Sequence, residues 1–283
     1  MKRRTFLKRL FGGIIGFFGL SGGTYYYARE IEPSMLETHF IDITSKNTPT
    51  SFDGYKIVQF TDTHLGFHYT IEQLTELINK INRLEPDLIV FTGDLIDNPQ
   101  TYQLDGRLIP LLSQLTAKDG KYCIYGNHDH GGYGTDLLND IFAQSDFELL
   151  QNEHRQITKN GDTLYIAGID DALLGNPDVE QAITGIPDDA FKILLAHEPD
   201  YADVAKNYPI DIQISGHSHG GQVQLPFIGY IYTPSLAQKY VEGGYTLGNY
   251  PLQLYVSRGI GTTRLPYRFL CKPEITVYQL KKS

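Results

Sequence analysis

This 283-residue chain reads as an α/β fold of two mixed sheets with helices on the outside, on three observations. Five short apolar runs each look like a buried strand ending in Asp, Asn or His: KIVQFTDTH (56–64), DLIVFTGD (87–94), KYCIYGNHD (121–129), KILLAHEPD (192–200) and DIQISGHSH (211–219). Helical periodicity separates the first of these runs, as in crossover units that join parallel strands. The C-terminal third is mostly strand-like, which two sheets accommodate better than one doubly wound sheet.

The order of elements begins with an address. KRRTFLKRL is a basic cluster ahead of 19 uncharged residues, Leu10 to Ala28, the layout of an export signal. The run Arg-Arg-x-Phe-Leu-Lys resembles the twin-arginine signal, which implies the twin-arginine export machinery as a partner. Residues 1–28 are therefore read as a signal or an N-terminal anchor, and 29–283 as one domain. Cleavage stays open. No A-x-A site is present, the uncharged stretch is about the ~17–25 residues a spanning helix needs, and Tyr25, Tyr26 and Tyr27 suit a membrane–water boundary. The expected location is outside the cell, on the outer face of the membrane or in the wall.

Further along, TIEQLTELINKINRLEP (70–86) puts Ile71, Leu74, Leu77, Ile78, Ile81 and Leu84 on one helical face, and Pro86 stops it. Leucines in 103–116 and apolar residues in 135–145 predict two more helices. Asn160-Gly161 between two alternating runs predicts a hairpin. GGQVQLPF, PLQLYVSRG and EITVYQL read as strands. LPFIGYIYTP (225–234) has two readings, an apolar substrate mouth or a packed strand and turn.

Composition narrows the function. The formal charge is −9, and setting aside the five basic residues of 1–23 leaves 19 basic against 33 acidic, a net of −14. A body so acidic lacks the footprint of a non-specific nucleic-acid binder. Two cysteines, Cys123 and Cys271, give no disulfide framework and read as inert buried thiols.

In α/β sheets ligands collect beyond the carboxyl ends of strands, and here five such ends carry complementary ligand types. Asp62-x-His64 sets two ligands on the same side of an extended strand end, and His217-x-His219 repeats the spacing. Asp94 and Asp97 lie in GDLID, Asn127 and His128 in GNHD, and His197 follows the fourth run. Carboxylate, imidazole and amide without thiolate suit Mn²⁺, Fe or Zn²⁺, with Mn²⁺ favoured. Gly93, Gly126, Gly216, Gly220 and Gly221 permit the tight turns that aim these ligands. His39, His68, His130 and His154 match no metal motif and read as surface or loop histidines.

The ordered set D-x-H, GDxxD, GNHD, a lone His and GHxHGGQ resembles the calcineurin-like metallophosphoesterase superfamily over about residues 53–280. GNHDHGGYG, GHSHGGQ and SRGIGTTRLPYRFLCKPEIT are similar to the twin-arginine-exported, YkuE-type bacterial branch. The resemblance implies a four-layer α/β/β/α sandwich with two divalent ions between the sheet edges. It implies that Asp62, His64 and His219 hold one ion, that Asn127, His197 and His217 hold the other, and that Asp94 bridges them. His128 is implied to face the substrate as a catalytic group. Asp97 either orients His128 or caps a turn. Ser218 stands where many relatives have Thr, and GNHD has no nearby arginine like the phosphate clamp of Ser/Thr protein phosphatases.

The implied chemistry is phosphate-ester hydrolysis. Two cations about 3.5–4 Å apart clamp the ester and lower the pKa of a bridging water, whose hydroxide attacks phosphorus in line. His128 stabilises the developing charge or protonates the leaving oxygen. A phosphodiester or phosphomonoester of the cell envelope is the expected substrate. A lipid-linked pyrophosphatase similar to the UDP-2,3-diacylglucosamine hydrolases is the alternative, and a non-catalytic metal- or wall-binding protein the third reading. Arg258, Arg264 and Arg268 are open between meeting the substrate's charge and holding the C-terminal sheet.

Overall fold

The computed structural model describes residues 21–130, 135–248 and 250–283; the twin-arginine motif and most of the uncharged stretch lie outside the described residues. Among the described residues no helix is long and apolar enough to cross a membrane.

Two six-stranded mixed sheets form the centre. The first runs β1 (Glu37–Ser45), β14 (Glu274–Lys282), β2 (Lys56–Phe60), β3 (Leu88–Phe91), β4 (Lys121–Cys123) and β5 (Phe147–Leu149), all neighbours parallel except β14 and β2. The second runs β12 (Gly243–Leu247), β13 (Leu252–Val256), β9 (Ile212–Ser215), β8 (Phe191–Leu195), β7 (Asp162–Gly168) and β6 (Glu153–Lys159). Its inner pairs are parallel and its two outer pairs antiparallel.

Alternation along the strands explains why they read as continuous apolar runs. Ile57, Leu88 and Val90 of the first sheet meet Phe191, Ile193, Leu195 and Ile214 of the second in the interior core. Val58, Ile89 and Phe91 point the other way, into a core with α1 (Ile71–Arg83) and α3 (Thr135–Gln144). On the far side Ala167, Leu194 and Leu254 pack with α4 (Val179–Ile183) and α5 (Ala202–Ala205). The result is a four-layer α/β/β/α sandwich.

α1 begins on a capping box. The Thr70 hydroxyl accepts from the Gln73 backbone, and the Gln73 side chain accepts from the Thr70 backbone. Asn160 and Gly161, both at positive φ, close the predicted hairpin between β6 and β7. The helix expected over 103–116 is only α2 (Leu108–Leu112). Pro110 fits a first helical turn but not an interior, so no helix extends back through 103–107, and Asp105 instead accepts from the Arg107 backbone and side chain. The strand read in GGQVQLPF shrinks to β10 (Gln224–Leu225), paired with β11 (Gly229–Tyr230), because Pro226 and the positive φ of Phe227 turn the chain.

Candidate metal centre

The loops after β2, β3, β4, β8 and β9 converge where the two sheets meet. One ligand atom each from Asp62, His64 and His219 lies within 4.8 Å of the others, and the same holds for Asp94, His197 and His217. All six residues are buried. Asp94 joins the two groups: its Oδ2 is 3.4 Å from His64 Nε2 and 3.3 Å from His197 Nε2. Asn127 sits in the loop whose His128 N–H donates to Asp94 Oδ1 at 2.9 Å.

The ligand pairs do not arise from an extended strand end. Asp62 (φ 56°), His64 (φ 45°), His217 (φ 66°) and His219 (φ 51°) are all left-handed, as is Asp94 (φ 62°). Such conformations cost of order 1–3 kcal/mol each in a non-glycine residue and persist only where the surroundings hold them. The surroundings do so with backbone bonds. His217 N–H donates to both Asp62 carboxylate oxygens at 3.1 Å, and the N–H groups of Asp62 and His64 donate to the Gly93 and Asp94 carbonyls. Gly93 has φ 101°, whereas Gly126 and Gly216 are required for space: a Cβ on either would lie 2.3 Å from an oxygen of Asp94 or Asp62.

Imidazole orientation is fixed from behind. His197 Nδ1 donates to the Thr92 carbonyl at 2.6 Å and His217 Nε2 to the Ser235 carbonyl at 2.8 Å, leaving the other nitrogen of each ring for the site. Burial, reinforced by the charge of His197, pushes His217 down to about 3. Burial and the charge of His64 push His219 well below the usual range. Neutral rings of this kind keep the lone pair that ligation needs. Burial alone would raise Asp94, yet the charges of His197 and His128 hold it well below the usual carboxylate range.

Buried polar atoms test whether cations fit. His64 Nε2 and His219 Nε2 face each other at 3.0 Å, and Asn127 Oδ1 and His197 Nε2 are buried without a hydrogen-bond partner among the described residues. Ring nitrogens gathered this closely beside two carboxylates in a buried site form a donor set that cations would satisfy. The donor set fits two divalent ions.

His128 stands at the edge, partly buried. Burial lowers its pKa, but the charge of Asp94 and the Asp97 carbonyl more than reverse this, so the net shift is upward. Asp97 has a divided part: its backbone carbonyl accepts from His128 Nδ1 at 2.5 Å, while its carboxylate lies 3.2 Å from His64 Nδ1. Neither of the sequence readings, a carboxylate on His128 or a turn cap, anticipates that split.

Sequence reasoning passed over Asp129. Its buried carboxylate accepts from the N–H groups of Asp94 (2.6 Å), Leu95 (3.0 Å) and Gly126 (3.1 Å), tying the GDLID and GNHD loops together. Its place in GNHD was the available signal. His130, read as a surface or loop residue, is instead mostly buried with Nε2 2.9 Å from Asp170 Oδ1. Arg268 is fully buried on the carbonyls of Arg258, Gly259, Gly261 and Cys271, and Arg258 pairs with Glu274 at 2.6 Å, so both hold the C-terminal sheet. Arg264 is exposed, with its guanidinium on the Tyr232 hydroxyl at 2.7 Å. Cys123 and Cys271 are free and buried.

Comparison with known proteins follows this geometry. The chain is 50% identical to the metallophosphoesterase YkuE of Bacillus subtilis, over 100% of this chain and 99% of that protein. It is 27% identical to the UDP-2,3-diacylglucosamine pyrophosphatase LpxG of Chlamydia muridarum, over 90% of this chain and 92% of that protein. Among solved structures it is similar to the NAD nucleotidase NadN of Haemophilus influenzae, with 15% identity and a TM-score of 0.49 over 73% of this chain and 45% of that one. The family model for the calcineurin-like phosphoesterase matches residues 55–221. That span takes in every candidate ligand from Asp62 to His219, and the chain belongs to the calcineurin-like phosphoesterase family as a dinuclear metal-dependent phosphoric ester hydrolase.

Proposed function

We propose that this enzyme is exported by the twin-arginine route and hydrolyses a phosphodiester or phosphomonoester of the cell envelope. The observation that carries the site assignment is the single Asp94 oxygen shared between His64 and His197, which makes one dinuclear centre of two ligand groups. Asp62, His64 and His219 would hold one ion and Asn127, His197 and His217 the other, with Asp94 placed to serve both. Nitrogen and oxygen donors without thiolate favour Mn²⁺. When bound, two such ions supply Lewis acidity to the phosphoryl oxygens and lower the pKa of a coordinated water.

The chain's own residues do the rest. Asp129 locks the loops that carry Asp94 and Asn127. His128 has Nδ1 held by the Asp97 carbonyl, which leaves Nε2 free for the substrate, and the charge of Asp94 together with that carbonyl outweighs burial in favouring a proton on the ring. Donating that proton to the leaving oxygen avoids an expelled alkoxide. Export is supported by the Arg3-Arg4 cluster ahead of an uncharged stretch.

The test is hydrolysis of bis-p-nitrophenyl phosphate and p-nitrophenyl phosphate by the full chain, metal-stripped and then supplied with Mn²⁺, Zn²⁺ or Fe²⁺. Turnover restored by metal and abolished in Asp94→Asn is expected, and full activity in that variant removes the mechanism. Cell fractionation of an Arg3→Lys/Arg4→Lys variant tests the route; unchanged export rejects it.

A further inference from the structure

Beside the metal centre lies a cavity of about 390 Å³ whose wall includes His219 itself. Its other walls are mostly apolar, with Val223, Ile231, Tyr232, Pro234 and Leu265, and polar at the edges, where Gln222, Thr263 and Arg264 stand. A substrate whose phosphate sits at His219 therefore has apolar space waiting for the rest of the molecule. Above this cavity the β10–β11 hairpin carries a fully exposed Phe227, with Ile228 74% and Ile231 60% exposed, and across the opening Leu265 is 55% exposed. Contiguous apolar exposure of this kind on a soluble fold marks a binding surface. The hairpin is not loosely attached: at its base the Gln222 side chain bonds the Thr263 backbone in both directions, and Gln224 N–H donates to the Phe269 carbonyl. Arg264 links the two walls through Tyr232 and presents a cation at the rim.

A second observation says what the occupant is. The uncharged stretch that starts at Leu10 ends against the 263–270 loop. The Tyr25 ring meets Tyr267 at 5.5 Å and a tilt of 58°, Tyr27 meets Phe269 edge-on, and the Arg268 N–H donates to the Ala28 carbonyl. The one segment of this chain with the composition of a lipid anchor thus leads to the loop that walls the cavity.

We propose that the cavity is the subsite for the hydrocarbon chain of a lipid phosphate ester, drawn from a bilayer against which the hairpin tip rests. This deepens the phosphoesterase reading and rests on it. Phosphate lies at the metal centre, the chain runs past Val223 and Ile231 toward Leu265, and Phe227 and Ile228 enter the bilayer surface.

The test uses the full, metal-loaded chain and a series of alkyl p-nitrophenyl phosphates from ethyl to decyl. Each buried methylene is expected to lower KM about fourfold until the cavity is filled, with kcat nearly constant. In the double variant Ile231→Ser/Leu265→Ser the ratio of ethyl-ester to decyl-ester KM should collapse toward one, a ratio taken within the variant so that any change in its basal rate cancels. Both side chains are more than half exposed, so the fold is not at stake, and Leu265→Ala alone should give an intermediate slope. A KM flat from ethyl to decyl, with the ethyl ester hydrolysed, overturns the subsite. If no ester is hydrolysed, calorimetry with ethylphosphonate and decylphosphonate separates the two readings. Tighter decyl binding keeps the subsite and rejects only the phosphodiester form of the reaction, and equal binding rejects the subsite. For the bilayer source, Phe227→Ser/Ile228→Ser should slow hydrolysis of the decyl ester held in phosphatidylglycerol vesicles about tenfold or more and spare the ethyl ester. Equal vesicle rates overturn that part.

Discussion

Replacing Gly126 by alanine should disable the centre without touching a ligand. A Cβ there would lie 2.3 Å from Asp94 Oδ1, 2.7 Å from His197 Cε1 and 2.8 Å from the Asp94 backbone nitrogen. Ordinary contact starts near 3.4 Å, so the shared carboxylate or its loop must move by about 1 Å, a misplacement that costs about 10²-fold in rate. Gly216→Ala makes the matching intrusion on the other group, 2.3 Å from Asp62 Oδ2 and 2.5 Å from Thr61 Oγ1. The assay is kcat/KM for bis-p-nitrophenyl phosphate, with bound metal counted per chain by mass spectrometry. Both variants should fall about 10²-fold. Gly126→Ala should weaken both ions because Asp94 belongs to both groups, whereas Gly216→Ala should weaken chiefly the ion held by Asp62, His64 and His219. Gly106→Ala, with nothing within 4 Å of the new methyl, is the control and should match the parent. Two tightly held ions and parental kcat/KM in Gly126→Ala would refute the claim that Asp94 is positioned by close packing.

His128→Asn should lower kcat about 10²–10⁴-fold with metal content intact. The parent should lose rate as pH rises through the raised pKa of His128, and a variant retaining that alkaline limb would assign it elsewhere. Thr70→Ala removes the capping box of α1 and should cost about 1 kcal/mol, a fall of about 2–4 °C in melting temperature at unchanged activity; an unshifted melt would mean the cap contributes nothing. Hydrogen bonds from Lys206 and Lys239 hold the Asp203 carboxyl at about 2, below its ordinary 3.8. A depressed carboxylate stabilises above 3.8 and loses that contribution as pH falls toward 2. Because Asp203 is more than a third exposed, solvent screening keeps the effect under about 1 kcal/mol. Asp203→Asn should therefore melt slightly lower than the parent at pH 5 and level with it near pH 2; a gap that widens in acid would contradict the pairing.

How far the sequence disclosed the fold depends on what each strand touches. β2, β3, β8 and β9 are covered on both faces, so their apolar runs are continuous and stand out. β1 and β12 are edge strands with mixed, half-exposed faces, and neither carries such a signal. β1 earns its place through nine-residue parallel pairing with β14, a contact 237 positions away that no local pattern contains. The helix read within 103–116 shows the opposite error, one of extent: leucine periodicity runs through the segment, but Pro110 limits where a turn of helix can start and only Leu108–Leu112 is helical.

At the site, residue identity was more legible than geometry. The i, i+2 spacing of Asp62 and His64, and of His217 and His219, pointed to the right residues through a period-two argument that the backbone does not follow. In an extended chain such a pair shares a face for free. Here the N–H groups of Asp62, His64 and His217 bond to neighbouring loops and the His219 carbonyl accepts from the Cys271 thiol, so the pairs converge only because GDLID, GNHD and GHSHGG are already in place. The same dependence explains why Asp129 was passed over: GNHD marks the residue but not its role, which is to accept three backbone N–H groups from two loops 32 residues apart. Five strained ligand backbones, most of them tied to carbonyls or carboxylates of other loops, make a site that is rigid as a unit and weak in pieces. Binding energy of the ions can then hold a geometry that none of the loops would keep alone.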